Sequence, residues 1–143
     1  MQIEKMTETH KEVVLAMMRK FYASPAVYTN GSEEIFRRDV ETCIQGSPYL
    51  EGFVFMEEDT VGGYAMVAHS FSTEFGRPCM WIEDLYLTPE CRGKGMGGHF
   101  LTYLVLAYPD CVLRLEVEEE NEGAVRLYKK CGFEVLPYVE MKK

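Results

Sequence analysis

The stretch MWIEDLYLTPECRGKGMGG, from Met80 to Gly98, decides the fold of this chain, since it joins a strand to a glycine-rich turn that opens a helix. Met80 to Leu87 is rich in β-forming residues, and Thr88 to Glu90 ends the run. Arg92 to Gly98 then holds four glycines in seven residues, with two cations among them. Such a turn exposes backbone N–H groups at the positive end of a helix dipole, so it predicts a phosphate-binding loop.

Apolar spacing places the other elements in order. Apolar residues at helical spacing predict helices over residues 9–22, 32–45, 97–108 and 121–132. Runs rich in β-forming residues predict strands over residues 2–6, 49–56, 61–71, 80–87, 111–117, 133–136 and 138–141. Strands joined by short turns should pair antiparallel, and strands flanking the third helix should pair in parallel. The order β-α-α-β-β-β-α-β-α-β-β is an α/β (α+β) fold around a central mixed sheet.

Length, charge and cysteine usage limit the class of protein. With 143 residues, 47% of them apolar, we expect one domain over residues 1–143 with its own core. A formal net charge of −8 disfavours a nucleic-acid partner. No apolar run approaches the ~20 residues of a membrane span, and no signal-peptide pattern follows Met1. Five cysteines without a C-x-x-C pair predict reduced thiols in a cytoplasmic protein with no metal site and no membrane partner.

Three kinds of site compete for the glycine-rich turn. A P-loop is excluded, because Gly98 is followed by His99 and not by Lys and Ser or Thr. Gly93, Gly95 and Gly98 match the G-x-G-x-x-G dinucleotide fingerprint, but three antiparallel strands precede them and about 45 residues follow. That leaves no room for a second mononucleotide-binding half. An acyl-CoA site fits the context best.

Two motifs resemble one family. Arg92-Gly-Lys-Gly95-Met-Gly97 resembles the Arg/Gln-x-x-Gly-x-Gly/Ala signature of the GNAT superfamily of N-acetyltransferases, and the segment from Asn121 to Phe133 resembles its later motif. The resemblance is best from about residue 80 to residue 136. It implies a GNAT-like fold whose sheet is splayed at the acyl-CoA site. A shorter match, at Ile82-Glu83-Asp84-Leu-Tyr-Leu, is similar to the diamine (spermidine/spermine-type) acetyltransferases.

The resemblance implies a transferase that moves an acetyl group from acetyl-CoA to a primary amine, with a small, cationic, polyamine-like molecule as acceptor. Backbone groups of the strand would hold the acyl arm, and the glycine-rich loop would hold the pyrophosphate. The cofactor-binding residues implied in this way are Leu85, Tyr86, Leu87, Arg92, Gly93, Lys94, Gly95, Met96, Gly97, Gly98, Asn121, Ala124 and Tyr128.

The attack of an amine needs a base, since a primary amine with a pKa of ~10.4 is mostly protonated at neutral pH. A nearby carboxylate can take the proton, directly or through one water. Glu83 is the first choice and Asp84 the second; strict alternation puts them on opposite faces of the strand unless a β-bulge intervenes. By resemblance, Tyr128 is the acid that serves the departing thiolate.

The acceptor side stays open. By resemblance, the first two helices and their connection shape it, which points to Tyr28, Glu33 and Glu34 together with Glu83. Glu33 and Glu34 are equally explained as acids in the first turn of a helix. The length of the acyl group and the identity of the amine are not decided, and neither is the formation of a homodimer. A non-catalytic module that senses acyl-CoA and an N-acetyltransferase acting on proteins or peptides are the alternatives.

Overall fold

Five strands form one mixed sheet, with α-helices on both faces, in the computed structural model, which describes residues 1–143. The elements are β1 (Gln2–Lys5), α1 (Lys11–Tyr22), α2 (Glu33–Gln45), β2 (Leu50–Glu57), β3 (Thr60–Ser72), β4 (Arg77–Leu87), α3 (Met96–Ala107), β5 (Val112–Leu115) and α4 (Glu122–Lys130), with short 3₁₀ turns at Glu8–His10 and Pro89–Cys91. The strands lie in chain order; β1 to β4 pair antiparallel, and β4 and β5 pair in parallel. No helix of the chain has the length and apolar character that crossing a membrane requires.

Side-chain caps begin two of the helices where the sequence predicts them. The Oγ of Ser32 accepts a hydrogen bond from the Ile35 N–H at 3.2 Å, which caps α2. The Oδ1 of Asn121 accepts from the Ala124 N–H at 3.4 Å, which caps α4. Each cap satisfies one of the free amides of a first helical turn.

The core is divided by the sheet into two apolar layers. One layer joins α1 and α2 to the sheet; its fully buried members are Val14, Leu15, Met18, Val40, Val54 and Tyr64. The other joins α3 to the opposite face, with Phe53, Phe55, Ala65, Val67, Met80, Phe100 and Leu104 fully buried. Neighbouring residues of β2 and β3 alternate between the layers, as side chains of a strand covered on both faces must.

The sheet opens between β4 and β5. Their parallel pairing ends at Ile82 opposite Leu115, whereas β4 continues to pair with β3 as far as Leu87 opposite Gly63. The Thr88 N–H donates to the Gly62 carbonyl at 2.9 Å. Because backbone groups alternate in direction along a strand, the amides of Leu85 and Leu87 face away from β3, into the opening.

A β-bulge in β4 changes the direction of the two adjacent acids. Met66 pairs with Asp84 and Val67 pairs with Ile82, so Glu83 is the extra residue between them. The side chain of Asp84 is buried on the α1–α2 face, while Glu83 is exposed. Strict alternation therefore does not describe this part of the strand.

The prediction of two strands, over residues 133–136 and 138–141, is wrong. The C-terminal segment, residues 133–143, forms no sheet ladder. Its first amide, Phe133 N–H, donates to the Tyr128 carbonyl at 3.0 Å and so closes the end of α4 after Gly132, whose φ is +92°. Pro137 has no N–H to give to a ladder. The apolar side chains of Val135 and Val139 are 83% and 88% exposed, so no buried face holds the segment as a strand.

Candidate active site

The glycines of the loop before α3 serve two different purposes. Gly93 and Gly95 have φ values of +74° and +82°, and no atom lies within 4 Å of the position that a Cβ would take at either. They supply left-handed backbone that other residues adopt only with strain. At Gly97 a Cβ would lie 2.7 Å from the Cδ2 of Leu127. Gly97 therefore lets α4 pack closely against α3.

The N-terminus of α3 offers free backbone donors. Its N-cap, Gly95, has no side chain, and the first intrahelical bond runs from the His99 N–H to the Gly95 carbonyl at 3.0 Å. The amides of Met96, Gly97 and Gly98 consequently have no acceptor within the helix. Lys94 stands beside them, 57% exposed, with its Nζ 3.9 Å from a Glu57 oxygen. Free amides, a positive dipole end and a cation fit an anion such as a diphosphate.

Arg92 ties the loop to the end of β4. Its Nε donates to the Leu87 carbonyl at 3.0 Å, and its guanidinium lies 5.6 Å from the centre of the Tyr86 ring. Tyr86 and Met96 are 7% and 4% exposed, with their side chains in the core. Only their backbone groups are therefore available to a ligand.

The expected base and the expected acid both line one large cavity. It has a volume of about 1350 Å³ and lies between β5, α4 and the C-terminal segment. Glu83 and Tyr128 both line it. Although the side chain of Glu83 is exposed, surrounding protein atoms partly desolvate its carboxyl; this desolvation raises the pKa of Glu83 above its ordinary value, and the neighbouring charge of Asp84 raises it further. A carboxylate so placed binds a proton more readily than one in water.

Asp84 occupies a closed site instead. The side chain is 3% exposed, and its two oxygens accept hydrogen bonds from Tyr22 Oη and Tyr64 Oη, each at 2.8 Å. Burial raises the pKa of Asp84, whereas these two hydrogen bonds oppose the rise. Burial also raises the pKa of Tyr22 and Tyr64, so both remain donors. The geometry favours Asp84 as a group that positions two tyrosines.

Tyr128 lies half-buried on α4, with its ring 5.8 Å from the ring of Phe133. Burial, followed by the proximity of Cys131, raises the pKa of Tyr128 to about 12. The phenol therefore keeps its proton at neutral pH and can donate it in a hydrogen bond. Asn121 and Ala124 meet in the cap that begins the same helix.

The expected acceptor residues are not gathered around Glu83. Tyr28, in the connection between α1 and α2, is 77% exposed, and the Nζ of Lys142 lies 5.9 Å from its ring. Glu33 is paired with Arg19 and Arg37, and Glu34 with Arg38 at 2.9 Å. None of the three lines the large cavity. Their role toward an acceptor stays a prediction.

The cavity contains functional groups that the sequence did not single out. Trp81, Arg114, Glu116 and Glu140 all line it. The guanidinium of Arg114 lies 4.6 Å from the centre of the Trp81 ring. Burial, then a hydrogen bond with Glu140, raises the pKa of Glu116 to about 7. These residues belong to no motif, and they meet through strand register and the path of the C-terminal segment, neither of which local spacing specifies.

Comparison with known proteins identifies relatives of this chain. The model of the acetyltransferase (GNAT) family matches residues 15–133. Thialysine N-epsilon-acetyltransferase of Bos taurus is 36% identical over 83 residues, which cover 56% of this chain and 48% of that protein. A peptidyl-lysine N-acetyltransferase of Escherichia coli (strain K12) is 37% identical over 54 residues, or 38% of this chain and 35% of that protein. The matched part of the chain thus spans about half the length of these curated relatives, or less.

Solved structures share the fold over almost the whole chain. A possible acetyltransferase from Clostridium difficile 630 superimposes with a TM-score of 0.83 at 17% identity, covering 99% of this chain and 95% of that one. An aminoglycoside N-acetyltransferase in complex with CoA gives a TM-score of 0.79 at 17% identity, with 99% and 93% covered. At these identities the likeness concerns the fold alone.

Proposed function

Because the chain belongs to the acetyltransferase (GNAT) family, we propose that it transfers an acetyl group from acetyl-CoA to the primary amine of a small cationic acceptor. The observation that carries the proposal is that Glu83 and Tyr128 line one cavity at the opening between β4 and β5. Acetyl transfer to an amine needs a base for the amine and a donor for the departing sulfur, and Glu83 and Tyr128 can supply them.

Acetyl-CoA would bring the acetyl thioester, and the chain offers two sets of backbone donors to hold it. The amides at the N-terminus of α3, with Lys94, suit the pyrophosphate. The outward amides of Leu85 and Leu87 suit the extended acyl arm, as a strand edge suits another strand. An amide at this edge can also stabilise negative charge that develops on a carbonyl oxygen.

Glu83 would accept the proton of the acceptor ammonium. Desolvation raises its pKa above the ordinary value, and the charge of Asp84 raises it further. The raised pKa makes Glu83 a better base, and as a carboxylate it attracts a cation. Exposure at the bulge leaves it accessible, which Asp84 is not.

Tyr128 would serve the leaving thiolate by donating a hydrogen bond. Its pKa of about 12 lies above the ~8.5 of a thiol, so complete transfer of the proton to sulfur is uphill. A hydrogen bond from a neutral phenol to a developing thiolate avoids this difficulty. The half-buried position of Tyr128 strengthens such a bond, since the local dielectric constant is lower than that of water.

The curated relatives narrow the acceptor class. Thialysine and peptidyl-lysine, the acceptors in their names, each end in a primary amine on an unbranched side chain. A net charge of −8 and the carboxylates of the cavity favour a cation of this kind. Acetylation of a lysine within a peptide is the second candidate, because the cavity opens to solvent past the exposed C-terminal segment. A homodimer stays a prediction.

Calorimetric titration with acetyl-CoA, followed by measurement of CoA release in the presence of amines, tests the proposal. The amine panel contains thialysine, lysine, spermidine, an aminoglycoside and a lysine-containing peptide. We expect acetyl-CoA to bind and at least one amine to release CoA. No binding at millimolar acetyl-CoA would overturn the proposal. Binding without release by any amine would favour the non-catalytic sensing module instead.

A further inference from the structure

Arg114 is a cation without an anionic partner. It lies on β5 and makes neither a salt bridge nor a side-chain hydrogen bond with the rest of the chain, and its buried Nε–H has no acceptor. Buried donors are almost always paired, so an unpaired one needs an explanation. The centre of the Trp81 ring lies 4.6 Å from the guanidinium and gives it a cation–π contact, but the ring has no lone pair to accept the Nε–H.

Arg114 lies on the acceptor side of the sheet. Met80 and Ile82 pack into the layer under α3, so Trp81 between them faces the opposite side, and Arg114 shares that side because the two are register partners. The free amides of α3 lie beyond the sheet from this point. A phosphate bound at the start of α3 is therefore not the partner of Arg114.

We propose that Arg114 binds a carboxylate of the acceptor, while Glu83 receives its distal ammonium. This inference rests on the proposed function and names the acceptor as an amino acid with a terminal primary amine, in place of a polyamine. A guanidinium presents paired N–H donors that match the two oxygens of a carboxylate. Both residues line the same cavity, so one molecule can contact both.

Arg114 and Glu83 lie near one another in the sheet. Arg114 is the register partner of Trp81, and Glu83 is the bulged residue two positions farther along β4. Two residues of a regular strand span roughly 7 Å, and an extended lysine side chain, with four carbons between the α-carbon and the amine, is of similar length. An acceptor of this size suits a site in which one end meets Arg114 and the other meets Glu83.

Net charge alone predicts that the cavity prefers a diamine to lysine, which is the opposite of the preference expected from a carboxylate bound by Arg114. The cavity also contains Glu116 and Glu140, so a dication such as cadaverine is attracted more strongly than lysine, which carries one net positive charge. Cadaverine is lysine without its carboxylate. A preference for lysine over cadaverine therefore requires a cation that pairs with the carboxylate.

Trp81 provides a direct measurement, since it is the only tryptophan of the chain and contacts Arg114. Its fluorescence is followed in the CoA-saturated protein during titration with L-lysine, L-lysinamide and cadaverine. We expect lysine to bind about tenfold more tightly than the other two, and Arg114→Met to abolish the difference. Arg126→Met, on the exposed side of α4, is the control and should keep it. Arg114→Lys keeps the positive charge but loses the paired N–H donors of the guanidinium, so it should keep only part of the preference for lysine.

Equal binding of lysine and cadaverine to the unaltered protein overturns the inference, as does failure of all three to bind. Loss of affinity for cadaverine and lysine alike in the Arg114→Met variant also overturns it, since that result indicates a structural role. Acetylation of cadaverine or spermidine at the same rate as lysine refutes the amino-acid acceptor and leaves the acetyltransferase proposal standing. Failure to bind acetyl-CoA refutes the acetyltransferase proposal by a separate measurement.

Discussion

Glu83 and Asp84 are neighbours in the chain, yet the bulge in β4 places Glu83 at an open cavity and Asp84 between two tyrosine hydroxyls at 2.8 Å. Two carboxylates of the same strand thereby acquire different environments. The exposed one can exchange a proton with a ligand. The buried one is committed to Tyr22 and Tyr64, which join α1 to β3 through it. The structure thus favours Glu83 for chemistry and Asp84 for the position of α1 beside the site.

Glycine substitutions in and outside the loop before α3 should separate an effect on folding stability from an effect on acetyl-CoA binding. Gly95→Ala and Gly76→Ala both place a side chain on left-handed backbone in open space, at φ values of +82° and +64°. Each should lower the free energy of unfolding in urea by about 1 kcal/mol. Only Gly95→Ala should weaken acetyl-CoA binding in calorimetry, because Gly76 lies in the turn between β3 and β4. Normal acetyl-CoA affinity in the Gly95→Ala variant would argue against a phosphate site at this loop.

The raised pKa of Asp39 should make the stability of the folded protein depend on pH. Burial, and then the charge of Asp84, raises the pKa of Asp39 on α2 to about 6. Since its ordinary pKa is 3.8, the folded state binds this proton more tightly than the unfolded state. The resulting stability is present below about pH 4 and is lost as the pH rises through 6. Urea unfolding at pH 4, 6 and 8 should show this loss.

Asp39→Asn should reduce the loss, so that the variant gains stability relative to the unaltered protein as the pH rises. Asp84, whose pKa is also raised by burial, should leave part of the dependence in place. Asp59→Asn, in the exposed turn between β2 and β3, is the matched control. An Asp39→Asn variant with the same pH profile as the Asp59→Asn variant would contradict the raised pKa of Asp39.

The Tyr128→Phe substitution should slow acetyl transfer and leave acetyl-CoA binding unchanged. The substitution removes one hydroxyl and keeps the ring that packs on Phe133. A hydrogen bond to a charged group is worth about 1.5–3 kcal/mol, so kcat should fall roughly 10- to 100-fold. The dissociation constant of acetyl-CoA should stay within about twofold. Tyr49→Phe, at a position 74% exposed, should keep the full rate. Equal rates in the two variants would remove Tyr128 from the reaction.

Local sequence predicted those parts of the fold that depend on neighbours in the chain. The caps at Ser32 and Asn121 depend on a side chain and an amide three residues away, and both are confirmed. The strand, turn and helix around the glycine-rich loop are confirmed for the same reason. Gly97 also lets α4 pack closely against α3, a role that was not predicted because the contact, Leu127, comes from another helix.

Features that depend on distant segments were not predicted. The run after Phe133 has the apolar alternation of a strand, but pairing requires a partner edge, and the segment instead continues from the end of α4 past β5. The pairing of Arg114 with Trp81 likewise depends on the register of β4 and β5. Alternation of polar and apolar residues does not specify register between strands that are separated by a helix.

The release of CoA in the presence of a lysine-like amine, compared between the unaltered protein and the Glu83→Gln variant, tests the central claim most directly. CoA is best measured by chromatography, because Cys131 is exposed and would react with a thiol reagent. Glu83→Gln should lower kcat about 100-fold or more and leave acetyl-CoA binding intact, whereas Glu4→Gln, on the far edge strand β1, should keep the full rate. Equal rates for the two variants on an accepted amine would contradict the role of Glu83 as the base.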